Sequence, residues 1–233
     1  MNKKIVSKLI TSIISGLLLI LLGNFKISYI VGSYHAFFTP SSVLSPLIGI
    51  FGGLGIGLAS VLARAIFVFI FSGKLSLMFL IYHTPSFCAA AYWRLRIRWV
   101  KFFIPIICMT LFWIHPVGRS AFPYAFYWFI PLFITVMGYN NIFMQAFAAS
   151  FIAHAVGSIL WLYTVPMHAA LWISLIPLVI IERLMFTGIL VAGIYFIEFL
   201  SSKSTNFSFW LGRSYMYMIL WGKTKKYAKH EIG

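Results

Sequence analysis

Long apolar runs, broken by short polar turns, recur along the whole chain and constrain its fold more than any other feature. They cover about 5–22, 43–71, 75–93, 102–114, 122–137, 142–163 and 168–199. A run of about 18 or more apolar residues is long enough to cross a bilayer as a helix. Charged residues make up 9% of the 233, against about 25% in soluble domains, and mean hydropathy is +0.97, so a soluble globular domain is excluded. The expectation is an all-α, polytopic membrane bundle of about six transmembrane helices plus one broken or re-entrant segment. Residues 1–200 form one membrane domain and 201–233 a basic, partly interfacial tail, with no polar linker dividing two cores.

The formal charge of +15 does not point to nucleic acid, because of where the charges lie. Lys3, Lys4 and Lys8 precede the first run, Arg94, Arg96, Arg98 and Lys101 fill one short loop, and Lys203, Arg213, Lys223, Lys225, Lys226 and Lys229 lie in the tail. Basic clusters flanking apolar spans are what the positive-inside rule produces, and they suit anionic headgroups. The lipid bilayer is therefore the expected partner, with both termini cytoplasmic in a multi-pass protein of the cell (inner) membrane. The start resembles a signal peptide, but Gly23-Asn24-Phe25-Lys26 follows the apolar run without a small-x-small cleavage site, which reads as an uncleaved signal anchor. Cys88 and Cys108 lie in apolar segments with no metal-ligand spacing and read as small hydrophobes; no cofactor is expected.

Along the first span, Thr11/Ser15 and Ser12/Gly16 place small residues four apart, where another helix can approach closely. The segment 24–42 is too polar to span and reads as an external loop or partly inserted cover. In the second span, 43–71, Gly49, Gly53 and Gly57 fall on one face, a GxxxGxxxG pattern suited to packing against another helix. Arg64 lies within that span and needs a partner or a water-lined position. Pro85, after His83-Thr84, predicts a kink or break in 75–93. Continuous helix over 168–199 would be about 48 Å long against an apolar core of about 30 Å. Pro177 is therefore expected to divide it into 168–181 and 184–200. Basic flanks raise a parity conflict: three full spans before Arg94 would put the loop 94–101 outside, unless an early segment dips in and returns.

Ionisable groups at membrane depth are costly and mark functional sites or internal pairs. In the span 142–163, Ser150, His154 and Ser158 recur every four residues and Trp161 lies seven beyond His154, so all four share a face beside the small face Ala149, Ala153 and Gly157. An imidazole flanked by hydroxyls and an indole suits a planar polar ligand. His168 lies beside a proline-marked break, as do His83 and His115, where irregular backbone can line a cavity. Glu182 is expected to pair with Arg64 as a structural ion pair between helices, or to receive a cationic ligand group; Arg183 points about 100° away from it around a helix. HExxH, Walker A, GxGxxG and GxSxG motifs in a convincing context are absent, so no catalytic residue is assigned.

The small six-span layout, the extended loop after the first span, and the segment Ser45-Pro46-Leu47-Ile48-Gly49-Ile50-Phe51-Gly52-Gly53 resemble the substrate-binding S components of energy-coupling-factor vitamin transporters. Such proteins capture a vitamin from outside and dock on a transmembrane coupling subunit driven by ATPases. Their first span commonly carries an AxxxA docking pattern; here the matching spacing holds Ser12 and Gly16. The resemblance implies a transport protein that binds a small solute; the residues read above, Ser150, His154, Ser158, Trp161, His168 and Glu182, are the candidates to bind a polar or aromatic one. Two other readings stand beside it: a membrane-embedded enzyme acting on a lipid or isoprenoid through His154, His168 and Glu182, and a non-catalytic scaffold.

Overall fold

In the computed structural model, which describes residues 3–25, 28–29, 37–73, 77–95 and 97–203, the chain is built from α-helices, as its composition requires. Three helices are long and apolar enough to cross a membrane: α3 (Leu54–Ser72), α8 (Ile142–Thr164), and α10 (Ile176–Lys203) over Ile176–Leu200. Other helices accompany them: α1 (Lys3–Gly23), α2 (Pro40–Gly52), α4 (Leu77–Arg94), α5 (Arg98–Ile114), α6 (Pro116–Ser120), a 3-10 helix Phe122–Trp128 that continues into α7 (Phe129–Met137), and α9 (Ala169–Ser174). Two dipeptide strands, β1 (Ser28–Tyr29) and β2 (Phe37–Phe38), pair antiparallel where a cover loop was expected. The tail beyond residue 203 lies outside the described residues.

Large apolar side chains crowd the outward faces: Ile13 and Leu17 on α1, Ile66 and Phe69 on α3, Phe103 and Ile107 on α5, and Ile189 and Phe196 on α10 are all exposed. Water-soluble monomers do not leave contiguous apolar surface of this extent uncovered, whereas lipid covers it without cost.

At the centre is α8. Ala146, Ala148, Ala149, Phe151, Ile152 and Ala155 on it are all fully buried, and a helix apolar on every side belongs inside a bundle. Its alanines admit α4, whose Ala89 and Ala90 join a core with Leu47, Ile50, Tyr92 and Ile194. A second core gathers Phe112, Trp128, Phe151 and Trp172 from α5, the 3-10 helix, α8 and α9.

Three expectations need correction. The run 43–71 is not one helix, which would be about 44 Å long, too much for an apolar core of about 30 Å. It breaks at Gly53 (φ 101°, ψ 155°), a region open to glycine and strained for other residues. The chain folds back there, so a Cβ on Gly57 would lie 3.0 Å from Gly49 Cα, and one on Gly49 would lie 2.7 Å from Ala90 Cβ. Gly49, Gly53 and Gly57 therefore make a hairpin of α2 on α3, packed on α4, instead of one ridge offered to a separate helix. Arg94 closes this hairpin by donating from Nη1 to the Ile50 carbonyl at 2.7 Å, at the carbonyl-rich end of α2.

The second correction concerns Pro85, through which α4 runs unbroken. Third, the break in 168–199 falls at Leu175, and Pro177 sits in the first turn of α10, where a missing N–H has no cost. Glu182 and Arg183 thus lie on a continuous helix and not in a gap between segments. The close approach expected at Ser12 and Gly16 is made by α3: Ser12 is buried, and a Cβ on Gly16 would meet the Ser60 carbonyl at 3.0 Å and Ala63 Cβ at 3.1 Å.

Candidate functional site

Between the two cores lies a cavity of about 440 Å3. On α8, Ser150, His154, Ser158 and Trp161 reach it from successive turns, the alignment their four-residue spacing dictates. Arg64 enters from α3, His83 and Ser86 from α4, Glu182 and Arg183 from α10, Trp172 from α9 and Tyr124 from the 3-10 helix.

His154 is held at both ring nitrogens. Trp128 Nε1 lies 3.1 Å from Nδ1, and an indole N–H only donates, so Nδ1 is the accepting nitrogen. The proton of this neutral ring therefore sits on Nε2, which donates to the Tyr124 hydroxyl at 2.8 Å. Tyr124 in turn donates to Ser158 Oγ at 3.3 Å, and Ser158 lines the cavity. Phe112 stacks on the Tyr124 ring at 5.5 Å, and Trp172 packs edge-on to it at 4.9 Å.

This order of donors constrains the chemistry. Ser158 Oγ is 3.5 Å from His154 Nε2, but that nitrogen carries the proton. A general base must present its lone pair to the nucleophile, so the pair does not form a Ser–His catalytic couple. The arrangement is a hydrogen-bonded donor-acceptor wall on one side of the cavity.

The ionic groups are not arranged as the sequence suggested. Arg64 donates from Nη1 to His83 Nε2 at 2.9 Å, while Glu182 forms its ion pair with Arg183, Oε2 to Nη2, at 3.6 Å. No ion pair joins Arg64 to Glu182 among the described residues, although both line the cavity. The rotation of 100° between Glu182 and Arg183 is bridged by their long side chains. The Arg183 guanidinium also lies 4.7 Å from the centre of the Phe186 ring, and the Arg183 carbonyl accepts from Thr187 at 2.6 Å and Ser150 at 3.4 Å. At the other side, Gly23 leaves room for Arg64: a Cβ there would lie 2.9 Å from its Nη2.

Of the residues singled out from sequence, Ser150, His154, Ser158, Trp161 and Glu182 share the cavity. His168 does not. It is exposed and borders a separate, more open depression with His115 and Tyr163. Sequence reasoning missed Tyr124 and Trp172. Tyr124 sits in FPYAFYW among other aromatics, and nothing in the local pattern marks one ring as inward. Trp172 is set by the α9–α10 break, which came from the fold.

One donor on this wall is unmet. Trp172 Nε1 is buried and has no hydrogen-bond partner among the described residues. No group of three or more His, Cys, Asp or Glu able to hold a metal ion occurs among the described residues.

No family model matches this chain, and no curated protein or solved structure matches it. The site's own geometry is the basis for any functional reading.

Proposed function

We propose that the chain is a membrane transport protein that binds a small polar or aromatic solute in this cavity and works with a separate energising complex. The observation that carries the reading is convergence: separate helices turn hydroxyl, imidazole, indole, guanidinium and carboxylate groups into one 440 Å3 space. Ligand cavities commonly measure about 300–1,000 Å3, with apolar walls and a few polar groups. Placing so many polar groups inside a bundle with lipid-facing flanks is costly unless they serve a ligand or each other.

Orientation supports capture from outside. Arg94 holds the C-terminal end of α2, and Lys101 donates to Gln145 Oε1 at 3.1 Å near the start of α8, so these ends lie together at a basic pole. Ser41 at the start of α2 and Trp161 near the end of α8 line the cavity at the opposite pole. The positive-inside rule puts the basic pole in the cytoplasm and the cavity toward the outer face. The fold-back at Gly53 supports a topology without the parity conflict. With α1, α2, α3 and α4 alternating in direction, 94–101 returns to the side of the N-terminus. We accordingly read eight passes, α2 being a short one, in place of six, with both termini cytoplasmic in the cell (inner) membrane.

A coupling subunit and ATPases, the partners of the S components that the layout resembles, are the proposed energy source. Since Ser12 and Gly16 pack on α3, that subunit would meet a different surface. The enzyme reading is weakened by His168 lying off the cavity and by His154 presenting its Nε2 proton to Tyr124.

The test is native mass spectrometry of the full chain purified in mild detergent. The expected result is a retained small molecule that is lost on Ser158→Ala or Trp161→Ala while folding is kept. An empty cavity in wild type, with cavity variants altered only in stability, would favour the scaffold reading instead.

A further inference from the structure

The hydrogen-bonded wall leaves Trp172 without a use. Its side chain is 2% exposed, and its Nε1 has no hydrogen-bond partner among the described residues. An indole nitrogen only donates, so no choice of tautomer or hydroxyl rotation can satisfy it. A buried donor left unmet is costly, and uncommon in a folded chain.

The neighbouring aromatic donors are all committed. Trp128 Nε1 donates to His154 Nδ1 at 3.1 Å, Trp161 Nε1 to Met167 Sδ at 3.0 Å, and the Tyr124 hydroxyl serves His154 and Ser158. Trp172 packs edge-on to the rings of Phe112 at 5.4 Å and Tyr124 at 4.9 Å, contacts that hold the indole but leave its N–H unmet. The space it borders is the cavity of about 440 Å3, where Trp161, Leu178 and Val179 add ring and apolar surface. An acceptor carried by a molecule in that space completes the indole.

We propose that Trp172 is a specificity-determining donor of the solute site, and that the solute is a small planar molecule carrying a carbonyl oxygen or an unprotonated ring nitrogen to accept from it. This deepens the binding reading and rests on it. In both groups the lone pair lies in the plane of a flat body, so the edge can meet the N–H while the faces rest on the apolar wall. A hydrocarbon or a molecule ending in an ammonium group leaves the donor unmet.

The test uses the full chain in detergent and two probes of nearly one shape, acetophenone and α-methylstyrene, in which C=O is exchanged for C=CH2. Binding is followed by isothermal titration calorimetry, corrected for each probe's partition into protein-free micelles. Wild type is expected to prefer acetophenone about tenfold, the worth of one hydrogen bond, and Trp172→Phe to bind the two alike. Loss of ring volume alone weakens both probes together and leaves their ratio unchanged, so the ratio separates recognition from a structural role. Equal binding by wild type, or a preference that survives in Trp172→Phe, overturns the assignment and leaves solute binding intact. If the variant does not fold, the wild-type ratio decides. If neither probe binds, native mass spectrometry of the molecule that the purified chain retains takes their place. A molecule bearing such an acceptor and lost on Trp172→Phe supports the proposal; one without it, or one retained equally by the variant, overturns it. A wild type that retains no molecule overturns the solute-binding reading as well.

Discussion

At residue scale the key contact is the imidazole of His154, fixed by a donor on one side and an acceptor on the other. Two hydrogen bonds set its tautomer, and the tautomer sets the direction of the chain from Nε2 through Tyr124 to Ser158. Trp128→Phe keeps the ring volume but leaves Nδ1 facing the core without its donor. The expected cost is about 1–3 kcal/mol, read as a lower unfolding temperature in detergent with helix content unchanged. Tyr124→Phe removes a hydroxyl that serves both His154 and Ser158, and is expected to lower stability by a similar amount and to weaken solute binding. If neither variant changes stability, the network is not formed as described. The four residues Ser150, His154, Ser158 and Trp161 were visible in the sequence because helical spacing alone puts them on one face. Their partners were not, since Tyr124 lies 30 residues from His154 and only tertiary folding brings them together.

At the scale of elements, glycine and proline have effects that depend on position. Gly53 ends α2 with a positive φ, so Gly53→Ala forces an L residue into a strained region and is expected to cost about 1–3 kcal/mol. Gly49→Ala places a methyl where Ala90 already sits and should push α2 away from α4. Gly55→Ala is the control: a Cβ there meets nothing within 4 Å, so the variant should be neutral or up to about 1 kcal/mol more stable. Unfolding midpoints of the three variants check the order, and a Gly53→Ala protein as stable as Gly55→Ala would contradict the hairpin. Proline shows the same dependence. Pro177 falls in a first turn and begins α10, whereas Pro85 lies inside α4 and does not end it. A proline marks a probable boundary in sequence, but packing around the helix decides whether one forms.

For the whole molecule, the proposed orientation, with the basic pole in the cytoplasm, is one that labelling can check. With Cys88 and Cys108 replaced, single cysteines are placed by Asn140→Cys, before α8, and Thr164→Cys, at its end; both positions are exposed. A membrane-impermeant maleimide applied to intact cells should label Thr164→Cys, and Asn140→Cys should react only after the cytoplasmic side is opened. Labelling of both from one side would rule out α8 as a crossing helix and the outward-facing cavity with it.

The sequence by itself determined the class of molecule. Apolar runs of bilayer length, sparse charge and basic flanks can be read without any contact, because they follow from solvation of each segment alone. It also determined which α8 residues share a face, because that depends only on helix periodicity. Where a long apolar run folds back, which partner Glu182 takes, and which aromatic rings close the cavity were decided by the tertiary structure. Lipid accepts any apolar face equally, so hydropathy does not distinguish a lipid-facing Phe from a wall-forming Trp. Only packing between helices did so, turning the face of α8 into one side of a cavity with arginines, a glutamate and the Trp172 indole on the others.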